Sequence, residues 1–336
     1  MNQLDSLTEL AADLGADICL VQGAGGNISL KDETSLWVKA SGTWLADARQ
    51  CPIFVRLGLS AVRAALVAGS DDFAAAIEDH SGLRPSIETS LHALMPQRVV
   101  VHVHSINALS WVVRRDGKAA VAAKLEGLPW AWVNYVRPGL PLTRAVAEAL
   151  AATPGAAVLL LANHGLVVAA DTPRDARALL GAVERRLLPP TTAAPASDGG
   201  TLSALAARIP PDCRLPANIL THRLAQVQDF IHLLDGALYP DHVVFLGNAI
   251  PLVSAANRAD LVDVLNIYPY CAAVIFEGVV LGGKCTVGAE AMLECLALLA
   301  PCLPGRECLR FLSLEERAEL TNWDAEKARL KIGRAW

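Results

Sequence analysis

The sequence predicts an α/β fold in two domains, and three observations carry the prediction. Short apolar, β-branched runs such as VVVHVH alternate with stretches of helical periodicity such as PLTRAVAEALAAT. A segment rich in Pro, Thr, Ser and Gly interrupts the chain at residues 187–202, and the same alternation resumes beyond it. With 336 residues, 53% of them hydrophobic, the chain can bury a large core, and its length favours two domains over one. The expected boundaries are 1–190 for the first domain, 191–202 for a linker and 203–336 for a smaller C-terminal α/β domain.

In chain order, LWVKA (36–40) reads as a strand, PSIETSLHALM (85–95) as a helix and VVVHVH (99–104) as a buried strand. PLTRAVAEALAAT reads as a helix, AVLLLANHGLVVAA as strand segments around an Asn-His-Gly turn, and the stretch containing Arg174 to Leu188 as a closing helix. Beyond the linker, ANILTHRLAQVQDFIHLL reads as a helix, HVVFLG and AAVIFEGVVLG as strands, and AEAMLECLALLAPCL as a helix. In the tail LSLEERAELTNWDAEKARLKIG, Ser313 is followed three residues later by Glu316. This is the capping-box spacing, and it predicts a surface helix packed on its leucines and Trp323.

A net charge of −5 gives no reason to expect nucleic acid, whose backbone attracts clustered Lys and Arg, so a small molecule is the expected partner. The N-terminal stretch has acidic residues where a secretory signal is basic, and no run reaches the ~18 apolar residues of a spanning helix. A cytoplasmic protein without a membrane partner is expected. Eight scattered cysteines with no C-x-x-C pair read as reduced and mostly buried. Cys285, in GGKCTVG, is the one considered as a reactive thiol, against the ordinary reading of a buried hydrophobe.

Strand side chains alternate, so His102 and His104 share a face about 7 Å apart along the backbone, a spacing two ligands of one ion can use. His164, in LLLANHGLVV, would be presented at a strand end by the Asn-His-Gly turn. Three imidazoles leave zinc an open position, which is the character of a catalytic site. Any one of these histidines alone reads as a buried core residue. Glu88, with His92 at i+4 on the same helical face, adds a carboxylate able to move protons; it also suits the first turn of a helix. GAGGNISLK (23–31) and KASGTWL (39–45) hold Asn27, Ser29, Ser41 and Thr43 in turns that can aim N–H groups at an anion, or simply turn the chain.

In order, GGNIS, KASGT, PSIETSLHALMP, VVHVHS, YVRPG and LANHG resemble the class II aldolase/adducin domain over roughly residues 5–190. Together with LYPDHVV and NWDAEKARL, the wording is similar to the aldolase portion of bifunctional rhamnulose-phosphate aldolase/alcohol dehydrogenases. No G-x-G-x-x-G fingerprint marks the dehydrogenase portion.

The resemblance implies a three-layer domain around a central, largely antiparallel sheet. It also implies Zn2+ or another divalent metal on His102, His104 and His164, with Glu88 as acid/base. The activity implied is aldol cleavage of a ketose, a ketose 1-phosphate by preference, through a metal-stabilised enediolate; epimerisation, decarboxylation and an adducin-like binding role are the alternatives. By the same resemblance Tyr135 is the second proton-transfer group, reaching a neighbouring subunit in a homo-oligomer, a tetramer by preference. The substrate or phosphate is expected at Asn27, Ser29, Ser41, Gly42 and Ser86. Two positions that carry hydroxyls in the fuculose-phosphate enzymes are Ala24 and Ile87 here; Lys39 could offer a charge instead, although a solvated strand-edge lysine is the expected reading.

Overall fold

The computed structural model describes residues 3–79, 81–193, 199–254, 258–324, 326 and 327. The chain divides into two compact units, Met1–Val112 with Asp116–Leu188, and Val113–Arg115 with Pro189–Trp336. No helix among the described residues is long and apolar enough to cross a membrane.

The first unit is built on seven strands: β1 (Asn27–Lys31), β2 (Ser35–Lys39), β3 (Phe54–Gly58), β4 (Val99–Val103), β5 (Trp130–Val133), β6 (Val158–Leu161) and β7 (Gly165–Ala170). Their order is β3-β2-β1-β4-β7-β6-β5, and every pairing is antiparallel except β5 with β6. The helices are α1 (Gln3–Gly15), α2 (Leu59–Val67), α3 (Thr89–Leu94), α4 (Ile106–Val112), α5 (Gly117–Ala122), α6 (Leu140–Ala152) and α7 (Pro173–Arg186).

The sequence explains why β4 is central. VVVHV is β-branched and apolar on both faces, and all five residues are buried, as expected of a strand covered on both sides. One face packs Val100, Leu159, Leu161 and Val167 against Leu91 and Met95 near α3 and Leu142 and Val146 of α6. Burying each such side chain contributes about 1.5–3 kcal/mol. Helices α1 and α7 pack on each other and on β1, β4 and β7, which completes three layers. Helix α7 carries its own signals: the Thr172 hydroxyl accepts from Asp175 N at 3.1 Å, Pro173 opens the first turn, and Arg185 and Arg186 lie in the last.

The strand directions gather the chemistry. The N-terminal ends of β1 and β7 and the C-terminal ends of β2, β4, β5 and β6 lie at one end of the sheet. Register places Asn27 directly opposite His102.

The second unit holds a three-stranded sheet of β8 (Leu252–Val253), β9 (Cys271–Val274) and β10 (Gly278–Leu281), with helices that include Val287–Leu299. Two expectations fail here. HVVFLG is not a strand: Pro240–Leu246 is a helix opened by Pro240, with Asp241 in its first turn and Gly247 at φ 89 after it. A six-residue apolar run has no period to read when all of it is buried, and these end signals were the available evidence. ANILTHRLAQVQDFIHLL is a chain of short helical turns, because Val227 takes an extended conformation (φ −94, ψ 116) and interrupts it. The Ser313 and Glu316 capping box is present, opening the helix Leu314–Thr321; residue 325 and residues 328–336 of the tail lie outside the described residues. All eight cysteines are free thiols, but only Cys271 and Cys295 are buried, so the mostly buried expectation is corrected. Cys285 is half-buried, and burial pushes its thiol up to about 11, away from thiolate reactivity.

Candidate metal centre

His102 lies in the last turn of pleat on β4 and His104 two residues on, so both leave the same face of the sheet. His164 joins them from the β6–β7 connection, where Asn163 takes a left-handed conformation (φ 51) that asparagine tolerates. Gly165 then lets the strands close. A Cβ there would stand 2.6 Å from Val103 O and 3.2 Å from both His102 Cε1 and His104 Cδ2, so no larger residue fits without displacing the site.

The three rings converge with centroids 4.8–5.3 Å apart, and their ligand atoms lie within 4.8 Å of one another. His102 Nε2 and His104 Nε2 are 3.1 Å apart, close to the ~3.3 Å separation that tetrahedral Zn–N bonds of about 2.0–2.1 Å require. His102 Nδ1 lies 3.0 Å from the Leu166 carbonyl, which can only accept, so Nδ1 carries the hydrogen and Nε2 presents a lone pair inward. A buried lone pair aimed at a neighbouring imidazole nitrogen is the arrangement a cation stabilises. The donor set therefore fits a divalent ion with an open position.

Glu88 occupies the N-cap position of α3, its side chain turned to the histidines rather than to the helix N–H groups, and is 5% exposed. Its Oε2 stands 3.5 Å from His102 Nε2 and its Oε1 3.6 Å from His164 Nε2. Burial alone would raise its carboxyl pKa; positive charge gathered at the His102 and His164 site and the hydrogen bond from Asn27 oppose it and hold the group down. Asn27 Nδ2 donates to Glu88 Oε2 at 2.7 Å and to Ser86 Oγ at 3.3 Å, and Asn27 Oδ1 meets His92 Nε2. Both ends of Asn27 are therefore spent on α3 and the turn before it.

Ser29 is fully buried with its hydroxyl on His92 Nδ1 at 2.7 Å, which takes it out of the pair of surface turns. Ser41 is half-buried and Gly42 follows at φ 80; Ser41 N donates to Arg84 O, and Ser86 N donates to Lys39 O, so KASGT and PSIE are stitched together. Lys39 corrects the strand-edge expectation: β2 lies between β1 and β3, and Lys39 is 2% exposed with Nζ donating to the Ala24 carbonyl at 3.2 Å. Tyr135 is half-buried just after β5, at the same sheet end as the His164 turn. The residues that sequence reasoning passed over are Gly165 and the partner role of His92. The first was visible only as the residue after Asn-His, the second as the i+4 spacing from Glu88.

Comparison with known proteins comes to the same region. The chain is 33% identical over 175 residues to "Uncharacterized oxidoreductase YuxG" of Bacillus subtilis (strain 168), over 47% of this chain and 25% of that protein. It thus spans about a quarter of that relative's length. Solved structures similar to it include the N-terminal Class II Aldolase domain of a conserved protein from Thermoplasma acidophilum (26% identity, TM-score 0.48, 55% of this chain and 92% of that one). A sugar-phosphate aldolase from Thermotoga maritima is also similar (16% identity, TM-score 0.43, 55% and 92%). Residues 6–187, more than half of the chain and the whole of the sheet that carries the histidines, match the family model of the Class II Aldolase and Adducin N-terminal domain, and the protein belongs to that family.

Proposed function

We propose that this protein is a metal-dependent lyase that reversibly cleaves a ketose 1-phosphate into an aldehyde and dihydroxyacetone phosphate or a related fragment. The observation that carries the reading is the position of Glu88. A buried carboxylate lies 3.5 and 3.6 Å from two of three converging imidazoles, where a substrate held at an open metal position would place its reacting carbon. His102, His104 and His164 would hold a divalent ion, zinc suiting three imidazoles, which would supply Lewis acidity to a substrate carbonyl and offset the negative charge that develops there.

The chain's own groups do the rest. Leu166 O orients His102 and Gly165 lets the three rings approach. Glu88 takes the proton from the carbon beside the carbonyl in the condensation direction and returns it to that carbon in cleavage. Tyr135, brought by a neighbouring subunit of a homotetramer, handles the proton on the aldehyde oxygen. Lys39, Ser41, Gly42 and the Ser86 hydroxyl form the anion cradle, with Lys39 replacing the hydroxyl that Ala24 lacks. Asn27 and Ser29 serve Glu88 instead, because their polar atoms are already committed.

The test is metal content of tag-free wild type and His104→Ala, followed by a panel of ketose 1-phosphates assayed for aldehyde release. About one ion per chain, lost in the variant, with two carbon fragments released by wild type is the expected result. Epimer formation or carbon dioxide release from a metal-loaded protein would assign a different reaction to the same centre. No metal uptake even with added zinc would leave a binding role without catalysis. Light scattering showing a fully active monomer would remove the shared site at Tyr135.

A further inference from the structure

Starting from Glu88, a directional chain of hydrogen bonds runs away from the metal centre. Carboxylate Oε2 can only accept, so the Asn27 amide must present Nδ2 to it, and its Oδ1 is left facing His92 Nε2. An amide oxygen also only accepts, so Nε2 must carry the hydrogen of the ring. His92 is fully buried, and burial holds it neutral, with its pKa down at about 3 against the opposing pull of Glu88. A neutral ring with hydrogen on Nε2 has a lone pair on Nδ1, and Ser29 Oγ at 2.7 Å donates to it. Every polarity in the series Ser29, His92, Asn27, Glu88 is thereby set. The opposite tautomer would aim the Nε2 lone pair at Asn27 Oδ1; turning the amide to relieve that would aim its oxygen at the carboxylate. The backbone of His92 is fixed as well, since Lys31 Nζ donates to its carbonyl at 2.9 Å.

We propose that His92 is a positioning residue that acts through Asn27 to decide which oxygen of Glu88 carries the transferred proton. With Asn27 donating to Oε2, the two oxygens are unequal: Oε1 has no hydrogen-bond partner among the described residues and faces His164 Nε2, so it is the oxygen whose protonation disturbs no existing bond. The proposal rests on the reading of Glu88 as the acid/base. The spacing of Glu88, at the N-cap of α3, and His92 within it is what lets one asparagine bridge them.

The experiment combines three variants with one spectrum. His92→Phe removes the donor; kcat should fall about 10–100-fold while KM and metal content stay as in wild type. His92→Gln puts an amide N–H near the position of Nε2 and should recover most of that loss. In a Glu88→Gln background, His92→Phe should change kcat less than about 2-fold, the non-additivity of residues acting as a unit. Nitrogen-15 histidine NMR of wild type, with His92 assigned by its loss in His92→Gln, should show the Nε2–H tautomer, and Ser29→Ala should erode it.

An Nδ1–H tautomer, a Gln variant as impaired as Phe, or full additivity with Glu88→Gln would overturn the proposal. If His92→Phe does not fold, the Gln variant and the spectrum decide. If Glu88→Gln turns over normally, the acid/base reading falls and this proposal with it, whereas a damaged Glu88→Gln beside an Nδ1–H tautomer sinks this proposal alone.

Discussion

The two units both bury histidines, and they do so in different ways. In the first, His92, His102, His104 and His164 lie within one connected set of groups with Asn27, Ser29 and Glu88 at one end of the sheet. In the second, His242 is fully buried on a helix, and neither ring nitrogen has a hydrogen-bond partner among the described residues. Its ring packs against Tyr239 at 5.7 Å between centroids. His222 is buried too, with Nδ1 accepting from Val279 N at 3.1 Å, a bond that ties a strand to the turn beside it. Burial alone therefore does not mark a site. Convergence does: among the described residues the one group of three possible ligands able to hold an ion is His102, His104 and His164.

The largest effect that would break this contrast is metal loss. His102→Ala or His164→Ala should take the protein from about one ion per chain to none, whereas His242→Phe should leave metal and turnover unchanged. Elemental analysis of the purified variants checks it, and metal lost from His242→Phe would put the second unit into the centre. Glu88→Gln comes next, with metal retained and kcat lowered about 10²–10⁴-fold; normal turnover would reassign the proton transfer. Gly165→Ala is a smaller probe of the same packing. Its methyl must displace Val103 O or the His102 and His104 rings, so thermal unfolding should show a loss of about 1–3 kcal/mol, together with weaker metal affinity. A variant as stable and as tightly loaded as wild type would mean that the rings have slack.

What the sequence disclosed follows the same division. The H-x-H alternation, the Asn-His-Gly turn and the Glu88 helix could be read because each is a local pattern, and the capping box at Ser313 was read for the same reason. That Asn27 stands opposite His102 could not be, since β1 pairs with a strand some seventy residues away and periodicity gives a face but no partner. Lys39 was misjudged for the same cause: its burial depends on β2 being flanked on both sides, a matter of strand order. In the second unit the helix Pro240–Leu246 escaped because uniform burial erases periodicity.

A last effect is the pH dependence that His242 gives the second unit. His242 has its pKa lowered to about 4, by burial first and then by the charge of Arg317, while an unfolded chain titrates histidine near ~6.5. Above that value both states are neutral. As pH falls below it, the unfolded state takes a proton that the folded state refuses, so stability declines until the folded pKa is reached. Glu88, whose pKa is held down, loses its contribution only at lower pH, below the ordinary carboxylate value, so it does not enter between pH 7.5 and pH 5. Each pH unit is worth about 1.4 kcal/mol per group, and His242→Phe should shrink the difference in unfolding free energy between pH 7.5 and pH 5 by about 2 kcal/mol. Packing changes from the substitution enter equally at both pH values and cancel in that difference. Denaturant titrations of wild type and variant measure it. An unchanged pH response would show that His242 meets a proton-accepting partner in solution, and the contrast between a connected and an isolated set of histidines would no longer hold.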